Sequence, residues 1–219
     1  MDFITEMRDR HSVRSYIDRP IESEICQKIN SVIDECNRQG GLNIRLVVNE
    51  PQAFGGFMGR YGKFSGVKNY VALIAEKGKD EKIGYYGEKI VLSAQALGLN
   101  TCWVALTYKK IDSALNIGKN EKLYCVIAIG YGATQGVEHK SKTADKVSVS
   151  YDSAPEWFKN GVKAALLAPT AINQQKFVFS YENGAVSAKA GVGFYCAIDL
   201  GIAKYHFELG SGKKEIGWI

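Results

Sequence analysis

The chain has 219 residues, 46% hydrophobic and 23% charged, an ordinary globular balance with room for a sizeable core. Its net charge is +5, and no run of five or six like charges occurs. A nucleic-acid surface is therefore not indicated, whereas a local basic cluster suits an anionic small molecule.

The N-terminal stretch MDFITEMRDRHSVRSY carries acidic residues at once and lacks the apolar run of a signal peptide. From Ile21 to Gly40, Ile25, Ile29, Val32, Ile33 and Cys36 recur at helical spacing, and Gly40-Gly41 supplies a stop. Leu42, Ile44, Leu46 and Val48 alternate as a half-buried strand does. Residues 52–66 carry five glycines and several aromatics and read as a long loop. Val71–Ala75 is a short buried strand. Asp80 to Gly98 is the clearest helix, with Ile83, Ile90, Val91, Ala94 and Leu97 in its stripe. Strands are predicted over Thr101–Leu106 and Leu123–Ile129, with a short helix near Ile111–Asn116 between them. Residues 130–150 are polar, basic and without periodicity.

Ser153 followed by Glu156 predicts a capping box opening a helix through Trp157, Val162 and Leu166, which stops before Pro169. Lys176–Tyr181 reads as a strand, and Asn183-Gly184 as a tight hairpin turn. Gly191–Gly210 reads as the last helix. Two helices open with a glycine-aromatic-aromatic run, Gly84-Tyr85-Tyr86 and Gly193-Phe194-Tyr195. An internal pseudo-repeat, with halves at about 1–150 and 151–219, is compatible with one interlocked α+β domain over 1–219.

The five cysteines, Cys26, Cys36, Cys102, Cys125 and Cys196, form no CxxC pair. They read as buried thiols in a reducing compartment, not as a disulfide framework or zinc site. The histidines, His11, His139 and His206, lack metal-ligand spacing. No stretch approaches the roughly 18 to 20 apolar residues of a membrane span. The expectation is a cytoplasmic protein without membrane or nucleic-acid partners.

Three stretches carry chemistry. In an extended Arg10-His11-Ser12-Val13-Arg14-Ser15-Tyr16, alternate residues point the same way, so Arg10, Ser12 and Arg14 share a face. That face offers guanidinium forks and a hydroxyl to a phosphate or a polyoxygenated ring. A solvated arm is the plainer alternative. Lys140 and Lys142, after Gly130-Tyr131-Gly132, could close on the same anion or simply lie in a solvated loop. The turn Ala168-Pro169-Thr170-Ala171-Ile172-Asn173-Gln174-Gln175 offers backbone groups, a hydroxyl and amides suited to a heterocycle edge. The alternative is a simple helix stop at Pro169. Gly130-x-Gly132 and Gly191-x-Gly193 lack dinucleotide-fingerprint spacing, and no nucleophile elbow occurs.

Together these stretches resemble the nitroreductase family of flavin mononucleotide (FMN)-dependent oxidoreductases. Residues 10–16 look like the family's opening R-R-S-x-R-x-F motif. Leu92 to Trp103 look like its alanine-rich helix ending in G-L-G-T-C-W, and Ala168 to Phe177 look like A-P-S-A-x-N-x-Q-P-W. The resemblance implies a three-layer α/β/α fold and FMN as cofactor. Arg10, His11, Ser12, Arg14 and Asn69 are then flavin contacts. So are the backbone of Val104, Ala105 and Leu106, the late cations Lys140 and Lys142, and Pro169, Thr170, Ala171, Asn173 and Gln175. It also implies ping-pong transfer of hydride equivalents from NADH or NADPH to a nitroaromatic, quinone or similar small oxidant, with Arg14 stabilising negative charge on the reduced ring. Reductive dehalogenation, flavin processing or a flavin-binding, redox-sensing module are alternative uses of the same scaffold.

One departure stands out. Family members carry A-P-S-A-x-N after the first long helix, where this chain has Cys36 to Asn43. Here the motif lies in the second half, and Lys176-Phe177 replaces Pro-Trp. This suggests a single chain mimicking the family's homodimer, with one complete flavin site in which the cationic segment and the amide-bearing turn converge. An ordinary homodimer is the other possibility.

Overall fold

The computed structural model describes residues 3–213 and 215–219. The chain divides into two compact units. A sheet unit comprises Asp9–Lys79 and Lys89–Glu138. A C-terminal unit comprises the described residues of Met1–Arg8, Asp80–Glu88 and His139–Ile219. No helix among the described residues is long and apolar enough to cross a membrane.

Helix α1 (Phe3–Asp9) has no counterpart in the sequence reading, because seven residues make too few turns to display a stripe. Helix α2 (Ser23–Gly40) buries Ile29, Ile33 and Cys36 at helical spacing. It ends at left-handed Gly41 (φ 64°), whose N–H donates to the Asn37 carbonyl. The Leu42 N–H donates to that same carbonyl, so the expected strand over 42–48 shrinks to β1 (Arg45–Val47). The expected loop 52–66 contains two short helices, α3 (Gln52–Gly55) and α4 (Phe57–Tyr61). The Glu50 carboxylate starts the first by accepting from the N–H groups of Gln52 and Ala53 at 2.8 and 2.9 Å.

Strands β2 (Tyr70–Glu76), β3 (Asn100–Val104) and β4 (Glu121–Gly130) complete a four-stranded antiparallel sheet of order β1-β2-β4-β3. The central strand β2 is buried from Tyr70 to Ala75, on both faces, which explains its unbroken apolar sequence. On one face, Tyr70, Ala72, Ile74, Val126 and Ala128 pack with Val13, Tyr16, Phe54 and Phe64. Helix α5 (Asp80–Ala96) buries Ile90, Val91 and Ala94 in its later turns. Lys89 there bonds Glu35 of α2 at 2.9 Å. The predicted strand 101–106 stops at Val104, and Leu106 is 69% exposed. The predicted helix over 111–116 is a single 3-10 turn, Asp112–Ala114, too short for i to i+4 bonding.

In the C-terminal unit, β5 (Ser148–Val149) lies in the stretch expected to be irregular. Helix α6 (Glu156–Ala165) does not use the expected capping box. Pro155 occupies the cap position, so Glu156 is the first helical residue and not the third. The Ser153 hydroxyl instead donates to the Ser150 carbonyl (3.2 Å). Strands β6 (Phe177–Glu182) and β7 (Ala185–Ala190) form the hairpin through Asn183 (φ 52°) and Gly184 (φ 85°), as their sequence demands. β5 pairs parallel to β6, giving order β5-β6-β7.

Helix α7 (Cys196–Ser211) begins five residues later than its apolar pattern suggests. Tyr195 is left-handed (φ 61°), so Gly193-Phe194-Tyr195 leads into the helix without forming its first turn. Gly84 lies within α5, so neither glycine-aromatic-aromatic run opens a helix. The glycine that answers Gly84 is Gly201. A Cβ on Gly84 would meet the Ile198 carbonyl oxygen at 2.0 Å, and one on Gly201 the Glu81 carbonyl oxygen at 1.9 Å. The backbones of α5 and α7 touch at that crossing. Phe158, Phe177, Phe179 and Phe207 fill the adjacent core, with Phe179 stacked on Phe207 at 4.7 Å. Within it, fully buried His206 meets the Glu88 carboxylate at 2.9 Å through Nε2 and the Ala164 carbonyl at 3.2 Å through Nδ1. All five cysteines are free thiols, and Cys36, Cys102, Cys125 and Cys196 are buried as expected.

Gly201→Ala is expected to destabilise the protein by about 1–3 kcal/mol, because two backbones must separate. Urea unfolding checks this, and an unchanged midpoint would show that the crossing has slack.

Candidate functional site

The sheet unit carries the basic segment. After α1 the chain lies extended beside β3, with Ser12 bridging Thr101 in parallel and the Val13 N–H donating to the Thr101 carbonyl at 3.0 Å. The next residues run between two other segments. Tyr16 N–H donates to Ser65 O (3.0 Å), Ser65 N–H to Arg14 O (2.9 Å), and Ile17 N–H to Tyr131 O (2.9 Å). Gly66 permits this, being left-handed (φ 70°) with Tyr16 O only 2.1 Å from where a Cβ would sit. The Tyr16 hydroxyl donates to Val13 O at 2.8 Å and pins the turn from inside.

This arrangement draws the expected side chains together. Burial raises the Cys102 thiol above its usual range, while the Arg14 charge, a Ser12 hydrogen bond and the Arg10 charge pull it down. The charges of Arg10 and Arg14 and the Ser12 side chain thus all act on one β3 residue. Their exposure is graded. Arg10 is buried, Ser12 half-buried, and Arg14 exposed with its guanidinium 5.9 Å from the Phe64 ring. His11 is half-buried and packs on Gly136, where a Cβ would lie 2.7 Å from its own. Val104 is buried at the end of β3, and Ala105 and Leu106 follow with increasing exposure. Asn69 is buried, its Oδ1 accepting from the Asn49 N–H at 3.1 Å. With Tyr16, Lys68 and Tyr131 it lines a cavity of about 100 Å³. That is well below the ~300 Å³ of a small ligand pocket, so this cavity alone does not hold a cofactor.

The C-terminal unit carries the other two stretches, and it joins them. The Lys142 N–H donates to Gln175 Oε1 (2.8 Å), and the Gln175 amide donates to Lys140 O (2.9 Å) and Asn173 Oδ1 (2.8 Å). Asn173 Nδ2 also donates to Lys140 O (2.8 Å). Lys142 Nζ reaches the carbonyls of Gln174 and Gln175 at 2.8 and 2.9 Å. His139 Nε2 and the Ser141 hydroxyl meet Leu166 O at the end of α6, at 2.9 and 3.1 Å. The segment 139–142 is thus stapled to the turn, not loosely solvated. Gln175 is 2% exposed and its amide is engaged on both sides. Its first task, like that of Lys142, is to hold the turn. Thr170 and Asn173 remain accessible there.

The turn is strained. Ile172, Asn173 and Gln175 all have positive φ (46°, 54° and 45°). Left-handed geometry is costly for a β-branched residue, about 1–3 kcal/mol, and Ile172 is 97% exposed, so packing does not repay it. The sequence reading missed the residue that secures this turn. Asp199, in the first turn of α7, is 2% exposed and accepts from Ala171 N–H (2.9 Å) and Gln174 Nε2 (2.7 Å). Burial raises its carboxyl to about 6, against those two hydrogen bonds, which lower it. The available signal was one acid inside the apolar run Cys196–Ile202.

The family profile described as "Putative TM nitroreductase" matches residues 2–211. A "putative nitroreductase" from Thermotoga maritima MSB8 is similar to this chain at 22% identity and TM-score 0.68, over 96% of this chain and 83% of that one. An "FMN-dependent Nitroreductase" from Clostridium difficile R20291 has TM-score 0.50 at 22% identity, covering 69% and 97%. A "putative nitroreductase in complex with fmn" from Desulfovibrio desulfuricans has TM-score 0.54 at 17% identity, covering 67% and 95%. No curated protein matches. At these identities the solved structures speak for the fold, which is the expected α+β type.

A carboxyl raised in the folded state favours folding when protonated. That contribution is present below the unfolded value of 3.8 and lost as pH rises through about 6. From this shift, Asp199→Asn should gain about 2 kcal/mol relative to the parent between pH 4 and pH 6.5. Parallel urea curves across that range test it, and a constant difference would refute it. Gln175→Leu, which strands the Lys142 N–H and removes the amide's bonds to Lys140 O and Asn173 Oδ1, should cost about 1–3 kcal/mol in the same measurement.

Proposed function

The chain belongs to the TM nitroreductase family, and from that premise we propose that it is an FMN-dependent oxidoreductase acting on small oxidants such as nitroaromatics or quinones, with NADH or NADPH as donor. The observation that carries this reading is the extended Arg10–Arg14 segment laid along β3, with Ser12 bridging Thr101 and the Val13 N–H on the Thr101 carbonyl. Two guanidiniums and a hydroxyl on one strand edge are the donor set that a phosphate and polyhydroxylated chain require. The solved relatives described as FMN-dependent or FMN-bound support the same cofactor.

Bound FMN would supply two-electron redox chemistry that the side chains cannot. The chain's residues bind and orient. Arg10, already buried, provides a fixed positive charge that loses little entropy on binding. Arg14, exposed beside Phe64, is free to swing onto an anionic group and is the proposed stabiliser of negative charge on the ring. Ser12 donates or accepts at short range, His11 packs alongside, and the backbone of Val104, Ala105 and Leu106 offers amides where β3 ends. Asn69 contributes a buried amide. In the C-terminal unit, Lys140 is the proposed anion partner, and Pro169, Thr170, Ala171 and Asn173 shape and line the turn. Lys142 and Gln175 hold it in place.

The purified protein is expected to bind FMN with a visible flavin spectrum, at close to one flavin per chain. Arg14→Ala should weaken binding by about 10- to 100-fold, the worth of one charge-assisted hydrogen bond. Fluorescence titration measures both. No affinity for FMN ends the proposal, and two flavins per chain ends the single-site version. NADH or NADPH under nitrogen should bleach the flavin, and steady-state double-reciprocal plots should be parallel. Intersecting lines would overturn the alternating mechanism.

A further inference from the structure

We propose that Asp199 is a positioning residue for the flavin site, its carboxylate clamping the Thr170–Gln175 turn in the strained shape that receives the cofactor. The inference rests on the flavin reading above.

The geometry is that of a clamp. One oxygen takes the Ala171 N–H, just before the left-handed pair Ile172-Asn173, and the other takes the Gln174 side chain, just after it. Gln174 Nε2 also donates to Phe194 O at 2.9 Å, which ties the clamp to the entry of α7. Ile172 is 97% exposed, so hydrogen bonds and not packing must hold its geometry. Two donors approaching from opposite sides need two acceptor oxygens. An asparagine has one, and its amide would face the Gln174 amide.

A carboxylate is also a costly choice here. Asp199 forms none of the ion pairs among the described residues. The ionisable groups around it are few. The Cys196 thiol lies in the same turn of α7, and the Lys176 ammonium, felt by Cys196, donates to Val192 O at 3.0 Å. Lys140 and Lys142 sit on the stapled segment beside the turn. A residue serving only the fold would be better neutral at this depth. Burial raises the carboxyl to about 6, so the clamp is closed at neutral pH and opens below that value.

The test uses the full chain and two readouts. In flavin-free protein, hydrogen exchange of residues 171–175 should quicken about tenfold or more in Asp199→Asn. In FMN titrations from pH 5 to 8, the parent's dissociation constant should rise as pH falls through about 6. The variant's should be about tenfold weaker at pH 7.5 and change less with pH than the parent's, since the FMN phosphate titrates alike in both. Unchanged exchange, or unchanged FMN affinity in the variant, overturns the inference while leaving the flavin reading intact. A parent that binds no FMN at any pH removes the reading and the inference with it. Should Asp199→Asn not fold, the parent's own profile still decides, because affinity independent of pH from 5 to 8 overturns the clamp.

Discussion

The outer edge of β3 needs hydrogen-bond partners, and the segment that supplies them also carries the basic side chains. An edge strand left open exposes unpaired backbone groups. Here the Val13 N–H answers the Thr101 carbonyl, and the chain continues into a second pairing at Ser65 and a third at Tyr131. Those backbone bonds set where Arg10, Ser12 and Arg14 stand. The glycine at position 66 belongs to the same economy of space, since Tyr16 O occupies the volume of a Cβ.

The turn in the C-terminal unit solves the opposite problem. There the backbone is unfavourable and the side chains hold it. Gln175, Asn173 and Lys142 bond one another, and Asp199 takes the Ala171 N–H and the Gln174 amide, so that both sets hold a left-handed stretch. Each bond is worth about 1 kcal/mol net, so several are needed to offset strained residues at about 1–3 kcal/mol each. Strain that survives under such restraint is a mark of function more often than of accident.

Most of the regular structure was legible because it is periodic. α2, α5, β2 and β4 bury one stripe or a continuous run, and the Asn183-Gly184 turn has its own local chemistry. What misled is equally local. Ser153 and Glu156 have capping-box spacing, but Pro155 takes the cap. The apolar residues before Cys196 mimic a helical start, yet Tyr195 turns left-handed. In the site, the motif residues could be named from sequence, whereas their coupling could not. Nothing in the spacing says that Lys142 and Gln175 spend themselves on one another across 33 residues. Asp199 was hidden because a single acid in an apolar helix has no partner that sequence alone can point to.

The C-terminal unit is assembled from three separated stretches, the first near the N-terminus and the last ending the chain. A ribosome completes every strand of the four-stranded sheet before it makes the first residue of α6. During that interval Gly84, Tyr85 and Glu88 have been synthesised, but the α7 residues they meet, Ile198, Tyr205 and His206, have not. The leading part of α5 must wait, apolar face uncovered, for α7 to arrive. Closing a loop of more than a hundred residues is slow relative to helix growth. A nascent chain stalled before Cys196 lacks the helix against which Gly84 and Glu88 pack, an uncovered surface of the kind that chaperones bind.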